Sequence, residues 1–393
     1  MRVAIDACCW SNRRGFGRFT RELLTHIVAG HPQHEYTLVV DRPTAEAWRL
    51  PSGARLQVVD TDEAPTTAAS AAGARSLGDL WRMARAAARV PADVLFFPAV
   101  YSFFPVLRRV PTLVTFHDAI AESHPALVFP GARSRLFWKA KTWMARRQAD
   151  RMATVSAHAR TRIAAAFGRA ESSIDVIPEG PADVFRPIRD LRARNAVLDR
   201  YRLPPAAPLV LYVGGISPHK NLDGLLSAFA RVPDPAHLVL AGDHSGDSFL
   251  GCYPQLVELR ARLGLESRVT FTGFVPDEDL ALLYNAATVL AQPSFDEGFG
   301  LPAVEAMACG VPVAASRAGS LPEVVGSAGL FFDPRDPADM AATLARILGD
   351  AELRGDLAAQ ATQRASLFTW SAAAAQAVRL LEATAAGPAA PRG

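Results

Sequence analysis

The chain alternates short apolar runs with longer stretches of helical periodicity. In the first half, apolar and β-branched runs predict strands at Val3–Ala7, Tyr36–Val40, Leu56–Val59, Val94–Phe97, Leu113–Phe116, Met152–Val155 and Ile174–Ile177. Patterns typical of helices lie between several of them, for example over Gly17–Val28 and Arg133–Gln148. Strands that alternate with helices predict a mostly parallel sheet that is covered on both faces.

A second series of strands follows a stretch that breaks this pattern. Prolines and charged residues punctuate residues 180–208, which predicts an interdomain connection. Beyond it, further strands are predicted at Leu209–Val213, Leu238–Ala241, Val269–Thr272, Thr288–Ala291, Val311–Ala315 and Gly329–Phe332. Each series opens with a strand that leads through a glycine-containing loop into a helix, and ligands of open parallel sheets bind at such strand ends.

The two series predict an α/β protein of two doubly wound, Rossmann-like domains that face a cleft. We place the first domain at residues 1–190 and the second at 191–370. Residues 371–393 are predicted to form a C-terminal helix, which we hypothesise packs back on the N-terminal domain, and a tail that is disordered beyond Thr384. Residues 61–75 are small, polar and alanine-rich, and we interpret them as a mobile loop.

Length and composition fit two domains with ordinary cores. The chain has 393 residues, of which 50% are hydrophobic and 21% charged. The four cysteines lack metal-ligand spacing, which favours reduced thiols in a cytoplasmic protein. The first residues predict a strand rather than a signal peptide, and no apolar run approaches the roughly 18 residues that a membrane span needs.

Charge is distributed unevenly along the chain. Residues 1–190 hold 26 Lys and Arg against 18 Asp and Glu, whereas the remainder holds 16 against 21. Within the first half, the segment 133–151 interleaves basic residues with aromatic and aliphatic ones: Arg133, Arg135, Lys139, Lys141, Arg146, Arg147 and Arg151 with Leu136, Phe137, Trp138, Trp143 and Met144. One hypothesis is peripheral contact with an anionic bilayer, at the inner membrane face. The alternative is an ordinary surface helix, and nothing indicates nucleic-acid binding.

The most informative stretch runs from Gln292 to Gly310. Pro302 suits the first position of a helix and Gly310 its end, so a helix of about two turns is predicted between them. Glu297 then lies in the preceding loop and Glu305 one turn inside the helix, where a carboxylate can bind a ribose diol. The alternative, that both acids only complement the helix dipole, explains Glu305 poorly.

Lys220 is the second candidate for chemistry. Lysine occurs only at positions 139, 141 and 220, and Lys220 lies in the glycine-containing loop that opens the second series. A cation is mildly unfavourable at a helix start, but it is well placed if a diphosphate binds to the helix N-terminus. The alternative is a solvated lysine on a loop.

These motifs, in this order, resemble those of the retaining GT-B glycosyltransferases of family 4, particularly the mannosyl- and rhamnosyltransferase-like members of glycosyltransferase group 1. Glu297 and Glu305 match the family's Glu-x7-Glu motif, and residues 213–221, 275–287 and 319–325 resemble the segments around it. In the first half, Arg2–Ala7, Gly15–Arg18, Phe116–Asp118 and Val155–Ser156 match equivalent family stretches. The resemblance spans nearly the whole chain and is strongest over residues 209–335.

The resemblance implies a role for each matched residue. Glu297 would contact the donor sugar, Lys220 would stabilise the leaving diphosphate, and His117 would hydrogen-bond the sugar from the acceptor-side domain. An alternative for His117 is a histidine that caps a strand end. The donor-binding residues would be Gly15, Gly17, Arg18, Gly214, Gly215, Gly298, Phe299, Gly300, Leu301 and Glu305.

Two features of the sequence concern the charge at the site: one departure from the family pattern and one Asp-x-Asp pattern. Many members carry arginine where this chain has Gly215, so Lys220 would neutralise more of the diphosphate, helped by Arg18. On this interpretation no metal and no cofactor is needed besides the donor. Asp60 and Asp62 form an Asp-x-Asp pattern known from metal-dependent transferases, but in a different fold context.

The implied function is retaining transfer of a hexose to a hydroxyl of a glycan, lipid-linked or small-molecule acceptor. GDP-mannose is the first candidate donor, followed closely by UDP- and dTDP-sugars. Two alternatives remain open: a GT-B-fold epimerase or hydrolase that acts on a sugar nucleotide, and a non-catalytic protein that binds one.

Overall fold

In the computed structural model the described part of the chain comprises residues 1–62, 76–107, 109–243 and 251–387. Most of the predicted mobile loop, residues 63–75, lies outside it. The chain divides into two compact units: Met1–Glu179 together with Trp370–Gly393, and Gly180–Thr369. Both are α/β units with an all-parallel sheet, as the apolar pattern predicts.

The first unit contains a seven-stranded sheet in the order β3-β2-β1-β4-β5-β6-β7. Its strands are β1 Arg2–Asp6, β2 Glu35–Asp41, β3 Ala54–Val59, β4 Val94–Phe97, β5 Thr112–Thr115, β6 Arg151–Thr154 and β7 Ile174–Val176. In β1, Ile5 pairs with Leu38 of β2 on one side and with Phe96 of β4 on the other. All three side chains are buried, because helices cover both faces of a sheet with this strand order.

The described helices of the first unit connect these strands and end with the last helix of the chain. They are α1 Gly15–Gly30, α2 Arg42–Ala47, α3 Leu77–Arg89, α4 Ile120–Ser123, α5 Pro125–Val128, α6 Ala132–Gln148, α7 Ala157–Phe167 and α16 Trp370–Ala386. Helix α16 packs on α1, where the Trp370 ring meets Phe19 edge to face at 5.8 Å. Glu382 Oε1 lies 3.2 Å from Nε2 of His34. Helix α16 runs past Thr384, where disorder was predicted, because alanine is the strongest helix former.

The second unit contains a six-stranded sheet in the order β10-β9-β8-β11-β12-β13. Its strands are β8 Leu209–Val213, β9 His237–Ala241, β10 Val269–Gly273, β11 Val289–Gln292, β12 Val313–Ser316 and β13 Gly329–Phe332. Its described helices are α8 Leu191–Arg200, α9 Leu222–Phe229, α10 Tyr253–Arg262, α11 Asp277–Ala286, α12 Leu301–Ala308, α13 Leu321–Val325, α14 Pro337–Gly349 and α15 Ala351–Ala365.

The predicted connection over residues 180–208 has more structure than its prolines indicate. It contains α8, which begins after Asp190, whose side chain accepts hydrogen bonds from two helix N–H groups. The segment packs within the second unit: the Ile188 amide donates to Asn285 Oδ1 at 2.7 Å, and Asn285 Nδ2 donates to the Arg186 carbonyl at 3.0 Å. The N-terminal segment of the first unit therefore ends at Glu179, earlier than the predicted boundary after residue 190.

Candidate functional site

The predicted site residues lie in both units. The first unit holds Gly15, Gly17, Arg18 and His117, and the second holds Gly214, Gly215, Lys220, Glu297, Gly298, Phe299, Gly300, Leu301 and Glu305. In each unit they follow the carboxyl ends of the central strands, β1 and β5 in the first and β8 and β11 in the second. This is the sheet edge at which open α/β folds bind ligands.

The loop between β1 and α1 packs closely against the first residues of α1. A Cβ on Gly17 would lie 2.0 Å from the Asn12 carbonyl oxygen, so only glycine fits there. The Arg21 guanidinium donates to the carbonyl oxygens of Trp10 and Asn12 at 2.6 and 2.7 Å. Gly15 begins α1 and has nothing within 4 Å of its Cβ position. Close packing therefore explains Gly17, whereas Gly15 leaves open space at the helix N-terminus.

The His117 ring is buried after β5 and faces other groups of the first unit. Its Nε2 lies 3.0 Å from the Pro98 carbonyl oxygen and donates to it, since a carbonyl only accepts. Its Nδ1 lies 3.6 Å from Glu179 Oε1, and the Phe19 ring meets the imidazole edge to face at 4.6 Å. These contacts fit the alternative of a histidine that caps a strand end, and the contact with a donor sugar stays a prediction.

In the second unit, Lys220 and Glu297 form a two-pronged ion pair. The Lys220 ammonium donates to Glu297 Oε1 at 2.8 Å and to Oε2 at 2.9 Å. Ser294 Oγ donates to the same Oε1 at 2.7 Å. The two side chains are only 19% and 11% exposed, so the pair is screened less than a surface salt bridge. The structure thus brings together two residues that the sequence separates by 77 positions.

Backbone and hydroxyl contacts fix the loop that carries Glu297. The Phe295 amide donates to the His219 carbonyl at 2.9 Å, which ties this loop to the lysine loop. Ser316 Oγ at the end of β12 donates to the Ser294 carbonyl at 2.6 Å. Gly319 packs against the loop so closely that a Cβ there would lie 2.4 Å from the Glu297 nitrogen. The Glu297 carboxylate is therefore positioned by three elements rather than by one flexible loop.

The glycine-containing loop after β8 is shaped by Tyr212. The Tyr212 hydroxyl donates to the Gly215 carbonyl at 2.8 Å, and Gly214 has φ +153°. Burial, and then the negative charge of Glu297, raise the pKa of Tyr212 well above its usual value. Tyr212 therefore stays a neutral donor at any working pH. Gly215 has open space around its Cβ position.

Glu305 lies one turn inside α12, as predicted, and is buried. The helix begins after Gly300, which has φ +93° and whose Cβ would lie 2.8 Å from the Leu321 side chain. Gly300 is thus explained by backbone conformation and packing. Glu305 Oε2 accepts a hydrogen bond of 2.9 Å from the hydroxyl of Tyr284 on α11.

The Asp-x-Asp pattern has partners other than a metal. Asp60 pairs with Arg42 at 2.5 Å, and Asp62 pairs with Arg82. The arginine beside it holds the pKa of Asp60 below its usual value. Across the part of the chain that the structure describes, no group of three or more His, Cys, Asp and Glu is arranged to hold a metal ion.

Several residues of these clusters were missed by the sequence reasoning. Glu179 immediately precedes residues 180–208, which were interpreted as a connection. Ser294 lies inside the informative stretch from Gln292 to Gly310, where no role was assigned to it. Tyr284 lies in a segment that carried the family resemblance, which was the available signal. The contacts of Glu179 and Tyr284 join residues that are distant in the sequence, so no spacing predicts them. Ser294 lies only three positions before Glu297, and this short spacing is a signal that could have indicated its contact.

Two family models match the chain, one in each half. The Glycosyltransferase Family 4 model matches residues 13–181, and the Glycosyl transferases group 1 model matches residues 195–364. The first covers Gly15, Gly17, Arg18 and His117, and the second covers Lys220, Glu297 and Glu305. Together they span most of the described fold.

Curated relatives carry sugar-transfer names. The chain is 40% identical over 202 residues to the O-antigen chain mannosyltransferase B of Escherichia coli, covering 50% of this chain and 49% of that protein. It is 36% identical over 272 residues to the D-inositol 3-phosphate glycosyltransferase of Nocardia farcinica, covering 67% and 59%. The chain thus spans about half the length of the curated relatives that it matches.

Solved structures share the fold over nearly the whole length. Sucrose-phosphate synthase from Thermosynechococcus elongatus is 23% identical with a TM-score of 0.74, covering 98% of this chain and 99% of that one. Anabaena HepE, solved with UDP-glucose, gives 20% identity and a TM-score of 0.74, covering 98% and 100%. WaaG, a glycosyltransferase involved in lipopolysaccharide biosynthesis, gives 16% and 0.71, covering 97% and 99%. By its family models and its fold, this chain belongs to the family 4 glycosyltransferases of the GT-B fold.

Proposed function

We propose that the protein transfers a hexose from a nucleotide sugar to an acceptor hydroxyl with retention at the anomeric carbon. The observation that carries this proposal is the partly buried pair of Lys220 and Glu297 in the loops that follow β8 and β11. The donor diphosphate binds at Lys220, the sugar lies against the Glu297 loop, and Glu305 binds the ribose. The names of the curated relatives support sugar transfer.

In the proposed reaction these residues act mainly by stabilising charge. The bond between the anomeric carbon and the diphosphate oxygen breaks, and the acceptor oxygen bonds to that carbon on the same face. The acceptor proton passes to the departing diphosphate. Negative charge grows on the diphosphate as the bond breaks, and a partly buried ammonium stabilises it more than a solvated one would. The Glu297 carboxylate, paired with the lysine, faces the positive charge that develops on the sugar.

The test is a binding and turnover screen with the purified protein against GDP-, UDP- and dTDP-sugars. Lys220→Met is expected to lower turnover by about 10²–10³-fold, the usual effect of removing one group that stabilises transition-state charge. Arg231→Met, which removes an exposed cation from the same unit, is the matched control and should leave turnover unchanged. Equal turnover by wild type and Lys220→Met would refute the proposed site.

The same screen separates the two alternatives. A sugar-nucleotide hydrolase or epimerase would release or rearrange the sugar at the same rate with and without an acceptor. A non-catalytic binding protein would be stabilised by one nucleotide sugar and turn over none of them with any acceptor in a broad panel. Transfer that depends on acceptor concentration is the outcome expected here, and the anomeric configuration of the product, read by NMR, tests retention.

The first candidate donor is GDP-mannose. Its support is the 40% identity with a mannosyltransferase over 50% of this chain. UDP-sugars are the second candidate, because the similarly folded Anabaena HepE was solved with UDP-glucose. We expect GDP, but not UDP or dTDP, to stabilise the protein. If UDP or dTDP stabilised it instead, the proposed donor GDP-mannose would be wrong, and a hexose carried by that nucleotide would take its place.

We expect the transfer to proceed without a divalent metal, because Lys220 and helix N–H groups supply positive charge to the diphosphate. Excess EDTA should therefore leave the rate unchanged. A loss of activity that Mg²⁺ or Mn²⁺ restores would show that a metal completes the site.

Helix α6 is our candidate for peripheral contact with the inner face of an anionic membrane. It contains no acidic residue, and its exposed side chains include Leu136, Phe137 and Trp143. Arg133 and Arg147 lie over the rings of Phe137 and Trp143 at 5.9 and 5.1 Å. This surface offers aromatic rings beside cations, which suits the headgroup region. No helix within the described ranges is long and apolar enough to cross a membrane.

Not every basic residue of the segment 133–151 contributes to that surface. Lys141 donates to the Tyr101 carbonyl at 3.0 Å, Arg146 donates to the Phe167 carbonyl at 2.8 Å, and Arg151 pairs with Asp175 at 3.0 Å. Sedimentation with anionic vesicles, but not with zwitterionic ones, is expected for wild type and should be weakened by Trp143→Ala. Equal sedimentation of both proteins with both vesicles would support the ordinary surface helix.

A further inference from the structure

The Glu305 carboxylate is held inside the second unit by a tyrosine from another helix. The Tyr284 hydroxyl on α11 donates to Glu305 Oε2 on α12 at 2.9 Å. Tyr284 is fully buried and Glu305 is 2% exposed. The residues are 21 positions apart, so the contact is made by the packing of the two helices and not by a turn.

A carboxylate this deeply buried needs strong donors to remain ionised. A hydroxyl that donates to an ionised oxygen makes one of the stronger hydrogen bonds in proteins, and it also fixes the rotation of the carboxylate. Tyr284 can act as a rigid donor because its ring is locked: the Phe185 ring meets it edge to face at 5.6 Å. A tyrosine has few rotatable bonds, so the hydroxyl position follows directly from helix packing.

Burial also keeps a thiol near Glu305 in its neutral form. Burial, and then the negative charge of Glu305, raise the pKa of the nearby Cys309 thiol to about 12. The thiol therefore stays neutral and adds no second negative charge beside the carboxylate. Tyr284 thus donates to one defined oxygen of the Glu305 carboxylate.

We propose that Tyr284 is a positioning residue for Glu305, and that the pair gives the donor site its preference for ribonucleotides over 2′-deoxyribonucleotides. This inference rests on the proposed function, in which Glu305 binds the ribose. A carboxylate with a fixed plane meets a ribose hydroxyl at good hydrogen-bond geometry, and it is left without that donor when the sugar is 2′-deoxyribose. Tyr284 does not touch the nucleotide and acts only through Glu305.

The test compares dissociation constants by calorimetry for UDP with 2′-deoxy-UDP and for GDP with 2′-deoxy-GDP, using the pair whose ribonucleotide binds. Wild type should bind the ribonucleotide about 10- to 100-fold more tightly, as expected for a hydrogen bond to a charged group. Tyr284→Phe should reduce this preference to about threefold or less, by weakening the ribonucleotide far more than the deoxyribonucleotide.

A matched control is available in the same unit. The Tyr201 hydroxyl donates to Asp279 at the same distance of 2.9 Å, so Tyr201→Phe removes an equivalent bond to a different carboxylate. It should leave the ribose preference at the wild-type value. Thermal unfolding of both variants shows whether they fold, and a general loss of stability would lower both affinities together without changing their ratio.

The outcomes separate this inference from the proposed function. If no nucleotide binds wild type, or if Glu305→Gln keeps the full ribose preference, the proposed donor site is wrong. If Glu305→Gln abolishes the preference while Tyr284→Phe retains or increases it, the donor site stands and the positioning role of Tyr284 is refuted. Loss of the preference in both variants, but not in Tyr201→Phe, supports the inference.

Discussion

Replacing Gly319 with alanine drives a methyl group into the backbone that carries Glu297. The new Cβ would lie 2.4 Å from the Glu297 amide nitrogen and 3.0 Å from its carbonyl oxygen. Backbone atoms cannot rotate away as a side-chain end can, so the loop itself must shift. Gly319 also has φ +62°, a conformation that alanine disfavours.

The second unit contains a matched position without the clash. Gly264 has φ +66° and nothing within 4 Å of its Cβ position. Gly264→Ala should therefore lose only the conformational term, about 1–2 kcal/mol. Gly319→Ala adds a term for forced overpacking of about 1–3 kcal/mol. For a domain of this size, that added term corresponds to a melting temperature lower by about 2–12 °C.

Activity should separate the two variants further. Because the clash moves the residue that pairs with Lys220, Gly319→Ala should lower kcat by about 10²-fold, the usual effect of displacing a catalytic group by about 1 Å. Gly264→Ala should keep the wild-type kcat. Calorimetric scans and steady-state rates at saturating donor provide both readouts. If the two variants melted together and Gly319→Ala kept full activity, the inference that Gly319 packs against the Glu297 loop would be wrong.

Two further predictions concern an asparagine and two thiols of the second unit. Asn221 has φ +57° and its Nδ2 donates to the carbonyl oxygens of Pro293 and Pro334 at 3.0 and 2.7 Å. Asn221→Gly keeps the backbone conformation but leaves both acceptors without this donor, so calorimetry should show a loss of about 2–4 kcal/mol, and an unchanged melting temperature would contradict the assignment. Burial raises the pKa of the Cys252 thiol to about 11 and that of Cys309 to about 12. Only the thiolate reacts with iodoacetamide, and at pH 8 it makes up a fraction of about 10⁻³ or less of each cysteine. Iodoacetamide should therefore label both cysteines slowly in the folded protein, and faster as the pH rises. Rapid labelling at pH 8 would contradict the raised pKa values.

The sheets could be predicted from the sequence because parallel strands are buried on both faces. Val94–Phe97 is buried at every position, and such strands appear as continuous apolar runs with few alternatives. Strand ends were less well defined. β12 begins at Val313 rather than at the predicted Val311, since Gly310 has φ +76° and Pro312 has no amide to donate.

Only part of the candidate site could be predicted from the sequence. Lys220 was found because lysine is rare in this chain, and Glu297 and Glu305 because their spacing matches a known motif. Tyr284 could not be assigned a partner, because tertiary packing decides which residues of two different helices meet. Ser294 lies only three positions before Glu297, but in a loop a short spacing does not define which side chains meet. The structure adds these contacts, while the roles of the site residues toward a donor stay predictions to be tested.

The return of the last helix to the first unit has a consequence for the order of folding during synthesis. The chain between Gly180 and Thr369 leaves the ribosome as one uninterrupted piece, with every strand of its sheet. The first unit is emitted earlier but lacks α16, whose Trp370 and Leu381 are almost completely buried there. Until the final residues emerge, apolar surface on α1 remains uncovered. The first unit is thus synthesised first but completed last. In a nascent chain stalled near residue 369, the second unit would be complete, whereas the first unit would still be accessible to chaperones and proteases.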